Sequence, residues 1–215
     1  MTLRLHYHPF AQYCQKVLIA LYEHDLPFEP VVVDLGNPDH RAALARVWPF
    51  TKFPALEIGD GTVLGESGVI IEYLDTLAPG RTPLVPEGRL DGLEPRTLER
   101  VTDHYIADPL TRLVLAKLMG KLCDEDAERG LIATAYDFLE ARLPGREWAA
   151  GPAFGLADCT AAPALFYANL MVPIGDRPLL ADLFARLRAR PSVARVIDEG
   201  RPYRPGTPFD WPESY

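Results

Sequence analysis

Residues 53 to 67 read Phe-Pro-Ala-Leu-Glu-Ile-Gly-Asp-Gly-Thr-Val-Leu-Gly-Glu-Ser and constrain the fold more than any other stretch of the 215-residue chain. An apolar strand over 53–58, a Gly59-Asp60-Gly61 turn and a short strand over 62–64 make a β-hairpin. Pro54 stands at the first position of the strand, where its missing N–H spoils no ladder bond. Glu66-Ser67 then leads into an apolar helix over 68–77. A serine at a helix start presents a hydroxyl beside free backbone N–H groups, which together form an anion site.

Around this hairpin, strands and helices alternate up to about residue 78. Leu3 to Tyr7 reads as a strand, and Cys14, Val17, Leu18 and Leu21 share one face of a helix. A second strand lies within Phe28 to Leu35, followed by a short helix over 40–47. The order β-α-β-α-β-β-α implies a mixed four-stranded sheet covered on both sides. Residues 79–95 are rich in Pro and Gly and read as a linker. From 96 to 215 the pattern is all-α, with helices expected over 96–119, 124–143, 156–171, 178–189 and 191–199. The tail from Pro202 sets Tyr203, Phe209, Trp211 and Tyr215 among prolines and reads as irregular chain packed by its aromatics.

Composition removes several function classes. A net charge of −8 and the lack of any Lys/Arg run argue against a nucleic-acid partner. The most apolar stretch, 156–174, is interrupted by Asp158, Thr160, Asn169 and two prolines, so it is expected to be a buried helix and not a membrane span. The opening Met1-Thr2-Leu3-Arg4-Leu5 is too short an apolar run for a signal peptide. Cys14, Cys123 and Cys159 are odd in number and widely spaced, with neither a metal-binding pattern nor a disulfide framework. A reducing, cytoplasmic compartment and no bound metal are expected.

A second motif lies in the helical half: Trp148-Ala-Ala-Gly151, then Phe154-Gly155-Leu156-Ala157-Asp158-Cys159. Gly155 and Asp158 occupy the N-cap and N3 positions of a capping box, with glycine where a serine or threonine would supply one of the two reciprocal bonds. Glycine in place of serine at a cap costs only a few tenths of a kcal/mol, roughly, so the helix survives. Asp158 is therefore expected to be a folding residue, and Pro163 is expected to kink the helix.

Taken together, the Phe53-Pro54 hairpin, Glu66-Ser67 and the Leu156-Ala157-Asp158 helix start resemble the glutathione transferase superfamily, over nearly the whole chain. The resemblance implies a thioredoxin-like domain over 1–78, the linker over 79–95 and an all-helical domain over 96–215. It implies glutathione as co-substrate, a small electrophile as the second substrate, and a homodimer. In this family the proline is cis, Phe53 pairs its backbone with the tripeptide, and Glu66 and Ser67 hold its γ-glutamyl end. Lys52, and less directly His40, are expected at the glycine carboxylate. His104 and Tyr105 are expected beside the second substrate.

The first-helix region, Leu5 to Val17, departs from the family pattern. Active members stabilise the thiolate with a tyrosine at the end of the first strand, or with a serine or cysteine at the start of the first helix. Here Tyr7 takes the tyrosine position and Ala11 the other, so serine and cysteine mechanisms and dithiol exchange are all disfavoured. Lowering a thiol pKa of ~8.5 by two units needs roughly 2.7 kcal/mol. One hydrogen bond to a charged group supplies roughly 1.5–3 kcal/mol and a helix N-terminus roughly 0.3–1 more. The Tyr7 hydroxyl, the Gln12 amide, the Tyr13 hydroxyl and backbone N–H groups near residues 12–13 all qualify by chemistry. Tyr7 is preferred, with Gln12 as the alternative catalytic group; Tyr13 is expected beside the pocket or on the surface, and Cys14 is expected buried and inert. A non-catalytic binding or regulatory module with the same fold is the competing reading, favoured by Ala11.

Overall fold

The computed structural model describes residues 2–205 and 207–212. The first half holds β1 (Arg4–Tyr7), α1 (Gln12–Glu23), β2 (Glu29–Val32), α2 (Pro38–Val47), β3 (Ala55–Glu57), β4 (Val63–Leu64) and α3 (Ser67–Thr76). The sheet order is β2-β1-β3-β4; β1 runs parallel to β2 and antiparallel to β3, and β4 returns antiparallel on β3. The expected hairpin is present with shorter strands. Its turn closes by Gly61 N–H to Ile58 O and Thr62 N–H to Asp60 Oδ1, both 2.9 Å, with Gly61 at φ +87°. Asp60 and Gly61 supply what such a turn demands, a short side-chain acceptor and a residue free to take positive φ. β2 forms an edge of the sheet, which is why Pro30 is tolerated within it.

Helix α1 packs on α3 and reaches across to the second half of the chain. Every residue from Cys14 to Leu21 is buried, not the single face read from the sequence. The extra burial includes Gln15 and Lys16, whose polar ends are met by partners from the helical half. Gln15 Nε2 donates to Pro9 O and to the Tyr167 hydroxyl. On the other side of the sheet α2 seals a small cluster of Val33, Leu44 and Ala55, flanked by Trp48 and Val63. Asn37 caps α2 by accepting from Asp39 N–H at 2.9 Å.

The linker is clasped from both sides. The Asp75 carboxylate at the end of α3 accepts from Leu84 N–H (2.9 Å), Val85 N–H (2.8 Å) and buried His24 (2.6 Å), while Leu84 O accepts from Leu156 N–H. The helical half then comprises α4 (Leu93–Thr102), a π-helical turn (Asp103–Ala107), α5 (Asp108–Met119), α6 (Glu125–Glu140), α7 (Leu156–Ala168), α8 (Pro178–Ala189) and α9 (Pro191–Gly200), with a 3-10 turn over Arg201–Tyr203.

The helices expected over 124–143 and 156–171 end about one turn early, at Glu140 and Ala168, and two other differences from the sequence reading have clear reasons. The helix expected from 96 begins at Leu93, because Pro95 lies in its first turn, where an amide hydrogen has no partner to lose. The single helix expected over 96–119 is broken into α4 and α5 by the π turn. Pro109 cannot donate to the preceding turn, and Asp108 N–H bonds instead to Asp103 O.

Helix α7 is the spindle of this half. All its residues from Leu156 to Ala168 are buried, and it continues unbroken through Pro163. Asp158 behaves as expected of a capping residue: Oδ2 accepts from Gly155 N–H at 3.0 Å, and Oδ1 also accepts from Ala149 N–H at 2.8 Å. Burial pushes its pKa up to about 7 against the pull of those N–H groups. Glycine at 155 has a packing cause. A Cβ there would sit 2.5 Å from the Leu84 carbonyl oxygen.

Candidate active site

Two neighbouring cavities open where the first half meets α4, the π turn and α5. The first, of about 270 Å³, is polar. Lys52, Phe53, Pro54, Glu66 and Ser67 all line it, so the hairpin residues singled out in sequence converge on one place. The Phe53-Pro54 peptide is cis. The Phe53 N–H and carbonyl have no hydrogen-bond partners among the described residues, which leaves edge-like backbone groups at the cleft.

Ser67 is the first residue of α3, and Glu66, at φ +60° and ψ +109°, takes the cap position that serine was expected to fill. A non-glycine residue in that region costs on the order of 1–3 kcal/mol. The cost is met where the chain must turn from β4 into α3 while keeping both side chains at the cleft. Neither residue caps the helix, so the Ser67 hydroxyl stays uncommitted although the residue is only 6% exposed. The helix-start N–H groups lie beside it, so the α3 N-terminus presents several donors at the cleft.

The opposite wall comes from the helical half. Arg100, Asp103, His104 and Asp108 face the cleft, and Trp48 closes one end. Trp48 can lie there because Gly65 has no side chain; a Cβ at 65 would stand 2.2 Å from the indole ring. Asp103 belongs to a buried triad that ties the two halves together. Lys16 Nζ lies 2.8 Å from both Glu99 Oε1 and Asp103 Oδ2, and Lys16 is 1% exposed. Desolvation pushes the Asp103 pKa up to about 6, with Lys16 pulling it down and Glu99 adding to the rise.

The second cavity, of about 240 Å³, is apolar. Phe10, Leu110, Val114, Leu115, Tyr167 and Phe209 wall it, and Tyr13 and Phe53 belong to both cavities. Phe209 comes from the tail, held by ring contacts to Tyr167 at 6.0 Å and to Trp211 at 5.4 Å. The expectation that the tail packs through its aromatics therefore holds for Phe209 and Trp211, while Tyr215 lies outside the described residues.

Several sequence expectations are corrected here. Tyr7 lines neither cavity: its ring is buried edge-on against Phe28 at 6.3 Å. Strand alternation turns it into the core of the first half, and burial raises the phenol's pKa. Gln12 reaches the apolar cavity, but both hydrogens of its amide are used, on Ala107 O at 3.0 Å and Thr111 Oγ1 at 3.1 Å. Thr111 donates its own proton to Ala107 O, so both groups facing Gln12 are acceptors and its amide is fixed as the donor to them.

His40 turns toward its own loop, where Nδ1 accepts from Asp34 N–H at 3.2 Å, away from the cleft. His104 lines the polar cavity and not the apolar one; Tyr105 lines neither and is 49% exposed. Tyr13, expected at the margin, stands at the junction, and its hydroxyl donates to Asp108 Oδ1 at 2.6 Å. Cys14 is fully buried, its thiol pKa pushed up by desolvation, as expected of an inert cysteine. Ala11 forms the start of α1 with no side-chain cap.

The family models for the glutathione S-transferase N-terminal and C-terminal domains match residues 5–82 and 102–191. A glutathione S-transferase of Silene vulgaris is 32% identical over 214 residues, covering 92% of this chain and 97% of that one. The chain belongs to the glutathione S-transferase superfamily. A probable maleylacetoacetate isomerase of Vibrio cholerae is 31% identical across 87% of this family member and 91% of that protein. Among solved structures, a glutathione S-transferase of Methylobacillus flagellatus with glutathione bound superposes with a TM-score of 0.81 at 25% identity, covering 90% of this chain and 98% of that one. One from Methylobacterium radiotolerans in complex with glutathione sulfonate gives 0.77 at 28% identity, covering 92% and 95%. Among the described residues of this superfamily member, no helix is long and apolar enough to cross a membrane and no group of acidic, His or Cys side chains could hold a metal.

Proposed function

We propose that this protein binds glutathione in the polar cavity and presents its thiolate to a small apolar electrophile held in the cavity next door, for conjugation or thiol-assisted isomerisation. The observation that carries the reading is the convergence of Lys52, Phe53, Glu66 and Ser67 on one cleft that shares Tyr13 and Phe53 with an apolar pocket. The charge pattern suits the tripeptide's zwitterion. Ser67 with the α3 N-terminus receives the γ-glutamyl carboxylate, Glu66 its ammonium, and Lys52 the glycine carboxylate. Phe53 offers strand-like backbone bonds. The glutathione-bound relative adds support from outside the chain.

The site lies in a cytoplasmic homodimer. The family membership supports this assembly, and sedimentation at about half the dimer mass at micromolar concentration would contradict it. Ala11 favours a second reading, a glutathione-binding protein without turnover, because the serine or cysteine that activates the thiol elsewhere has no counterpart there.

Calorimetric titration with glutathione tests the first half of the reading. Ser67→Ala is expected to weaken binding by about 1–3 kcal/mol, the cost of losing a hydrogen bond to a charged group. Unchanged affinity in a well-folded variant would remove Ser67 from the site. Turnover of model electrophiles by the wild type then separates enzyme from binding module.

A further inference from the structure

We propose that Tyr13, Asp108 and His104 form a proton relay, in which Tyr13 takes the thiol proton of bound glutathione and then donates to the thiolate. The inference rests on the function proposed above. Tyr13 and Phe53 are the side chains common to both cavities. A sulfur held in the polar cleft that attacks an electrophile in the apolar pocket therefore passes beside them. Tyr7 is turned into the core and both Gln12 amide hydrogens are committed. The Tyr13 hydroxyl is the protic side-chain group left at that junction.

Its hydrogen bond is directed outward. Tyr13 donates to Asp108 Oδ1 at 2.6 Å, within the short range of charge-assisted O–H···O pairs. Asp108 Oδ2 stands 3.3 Å from His104 Nδ1, one helical turn away across the π segment. Tyr13 is half-buried, whereas the Asp108 and His104 side chains are 44% and 57% exposed. The chain of groups thus runs from the cavity junction to water. A phenol whose proton leans toward a carboxylate is a better acceptor on its free lone pair, which is the lone pair open to an approaching thiol.

The step balances without any co-reactant. The thiol S–H bond breaks as its proton joins the Tyr13 oxygen. The original Tyr13 O–H bond breaks as that proton joins Asp108, and the electron pair stays on sulfur as thiolate. The new Tyr13 O–H points back at the sulfur. Asp108 then releases its proton to water, and His104, through Nδ1–H, keeps the carboxylate oriented. Asp108 and His104 are positioning and exit groups; Tyr13 is the one that touches substrate.

Other charges face this chain from every side. Arg112 on α5 is paired with Glu128, Asp103 on the π turn with Lys16 and Glu99, and Arg100, Lys52 and Glu66 border the cleft. Among the described residues no hydrogen bond or ion pair joins these charges to the Tyr13 hydroxyl or the Asp108 carboxylate, although Asp103 and Arg112 act on Tyr13 through space.

The test uses the full chain with glutathione, reading thiolate absorbance against pH at equilibrium and proton release by stopped flow with a pH indicator. Wild type is expected to bind, with a bound thiol titrating at least about one unit below the free one. Tyr13→Phe should bind with near-native affinity while its bound thiol titrates about one unit or more higher than in wild type. Asp108→Asn still accepts from Tyr13 but is a poor base. It should slow proton release by about 10²-fold or more without raising the equilibrium titration. His104→Gln should slow release in the same direction by less. Asp108 lies at the surface, so its variant keeps the test open should Tyr13→Phe fold poorly. Intact binding with an unchanged titration in Tyr13→Phe, or with unchanged release in Asp108→Asn, would overturn the relay and leave the proposed function standing. Failure of wild type to bind glutathione would sink both.

Discussion

Lys16→Met should be among the most damaging single changes in this chain that leave its shape intact. Methionine fills the space of the lysine stem, so the lost quantity is charge. Asp103, whose side chain is 11% exposed, would lose its cation and stand beside Glu99, which is 2% exposed and would keep only the half-exposed Arg100 guanidinium, 3.2 Å from its other oxygen. Removing one partner of a buried ion pair costs about 3–5 kcal/mol, because the remaining charge stays in low dielectric. For a chain of this size each kcal/mol moves the melting temperature by roughly 2–4 °C, so calorimetry at neutral pH should show a fall of roughly 6–20 °C.

The sign of the pH dependence follows from Asp103. Its folded pKa is already pushed up to about 6 with Lys16 present. A carboxyl raised in the folded state contributes stability that is lost as pH rises through its folded pKa. Without Lys16 that pKa climbs further, so the variant's deficit should shrink as pH falls toward 5 and Asp103 takes up a proton. Glu99→Gln added to Lys16→Met should recover part of the loss. A fall under about 3 °C at neutral pH, or a deficit that does not respond to acid, would refute the view that these charges are trapped at the domain interface.

Gly68→Ala would bring a Cβ within 2.5 Å of Glu99 Oε1, pressing the same triad from α3; a loss of about 1–3 kcal/mol in denaturant titration is expected. Gly155→Ser restores the family's usual cap yet should destabilise by about 1–3 kcal/mol, since its Cβ would stand 2.5 Å from the Leu84 carbonyl oxygen. Asp158→Asn leaves one of two buried N–H groups unpaired and should cost about 1–3 kcal/mol. With its folded pKa at about 7 against an ordinary 3.8, Asp158 lowers stability as pH rises between those values, so the asparagine variant's pH profile should be flatter across that window.

The fold and the convergence of the hairpin residues on one polar cleft were legible in sequence because their signals are local. Pro54, the Gly59-Asp60-Gly61 turn and Glu66-Ser67 lie within one short stretch, and turn chemistry and helix starts act over a few residues. The catalytic assignment was harder because it depends on orientation and on partners far along the chain. A strand-end tyrosine looks the same whether it faces a cleft or a core, and Tyr7 faces the core. Gln12 is committed to Ala107 and Thr111, almost a hundred positions away. Asp103, His104 and Asp108 did offer a hint, polar spacing of one turn on a helix that carries Pro109. Nothing local marks Phe209 as a wall of the apolar cavity, since only the path of the tail brings it to Tyr167.

That tail wall has a bearing on how such a chain diversifies. The polar side of the site is built from residues that also hold the fold: Gly68 fits under Glu99, Gly65 admits Trp48, and Ser67 begins a core helix. Drift there is punished by unfolding before any new ligand is gained. Phe209 lies in a segment outside every helix and strand, and Val114 and Leu115 lie on a helix whose fully buried residues are Pro109, Leu110 and Leu113. Changes at those positions alter what the apolar cavity accepts while leaving the scaffold nearly untouched. Selection therefore has a region in which it can explore new apolar ligands at little structural risk, beside a polar cleft that the fold itself holds in place.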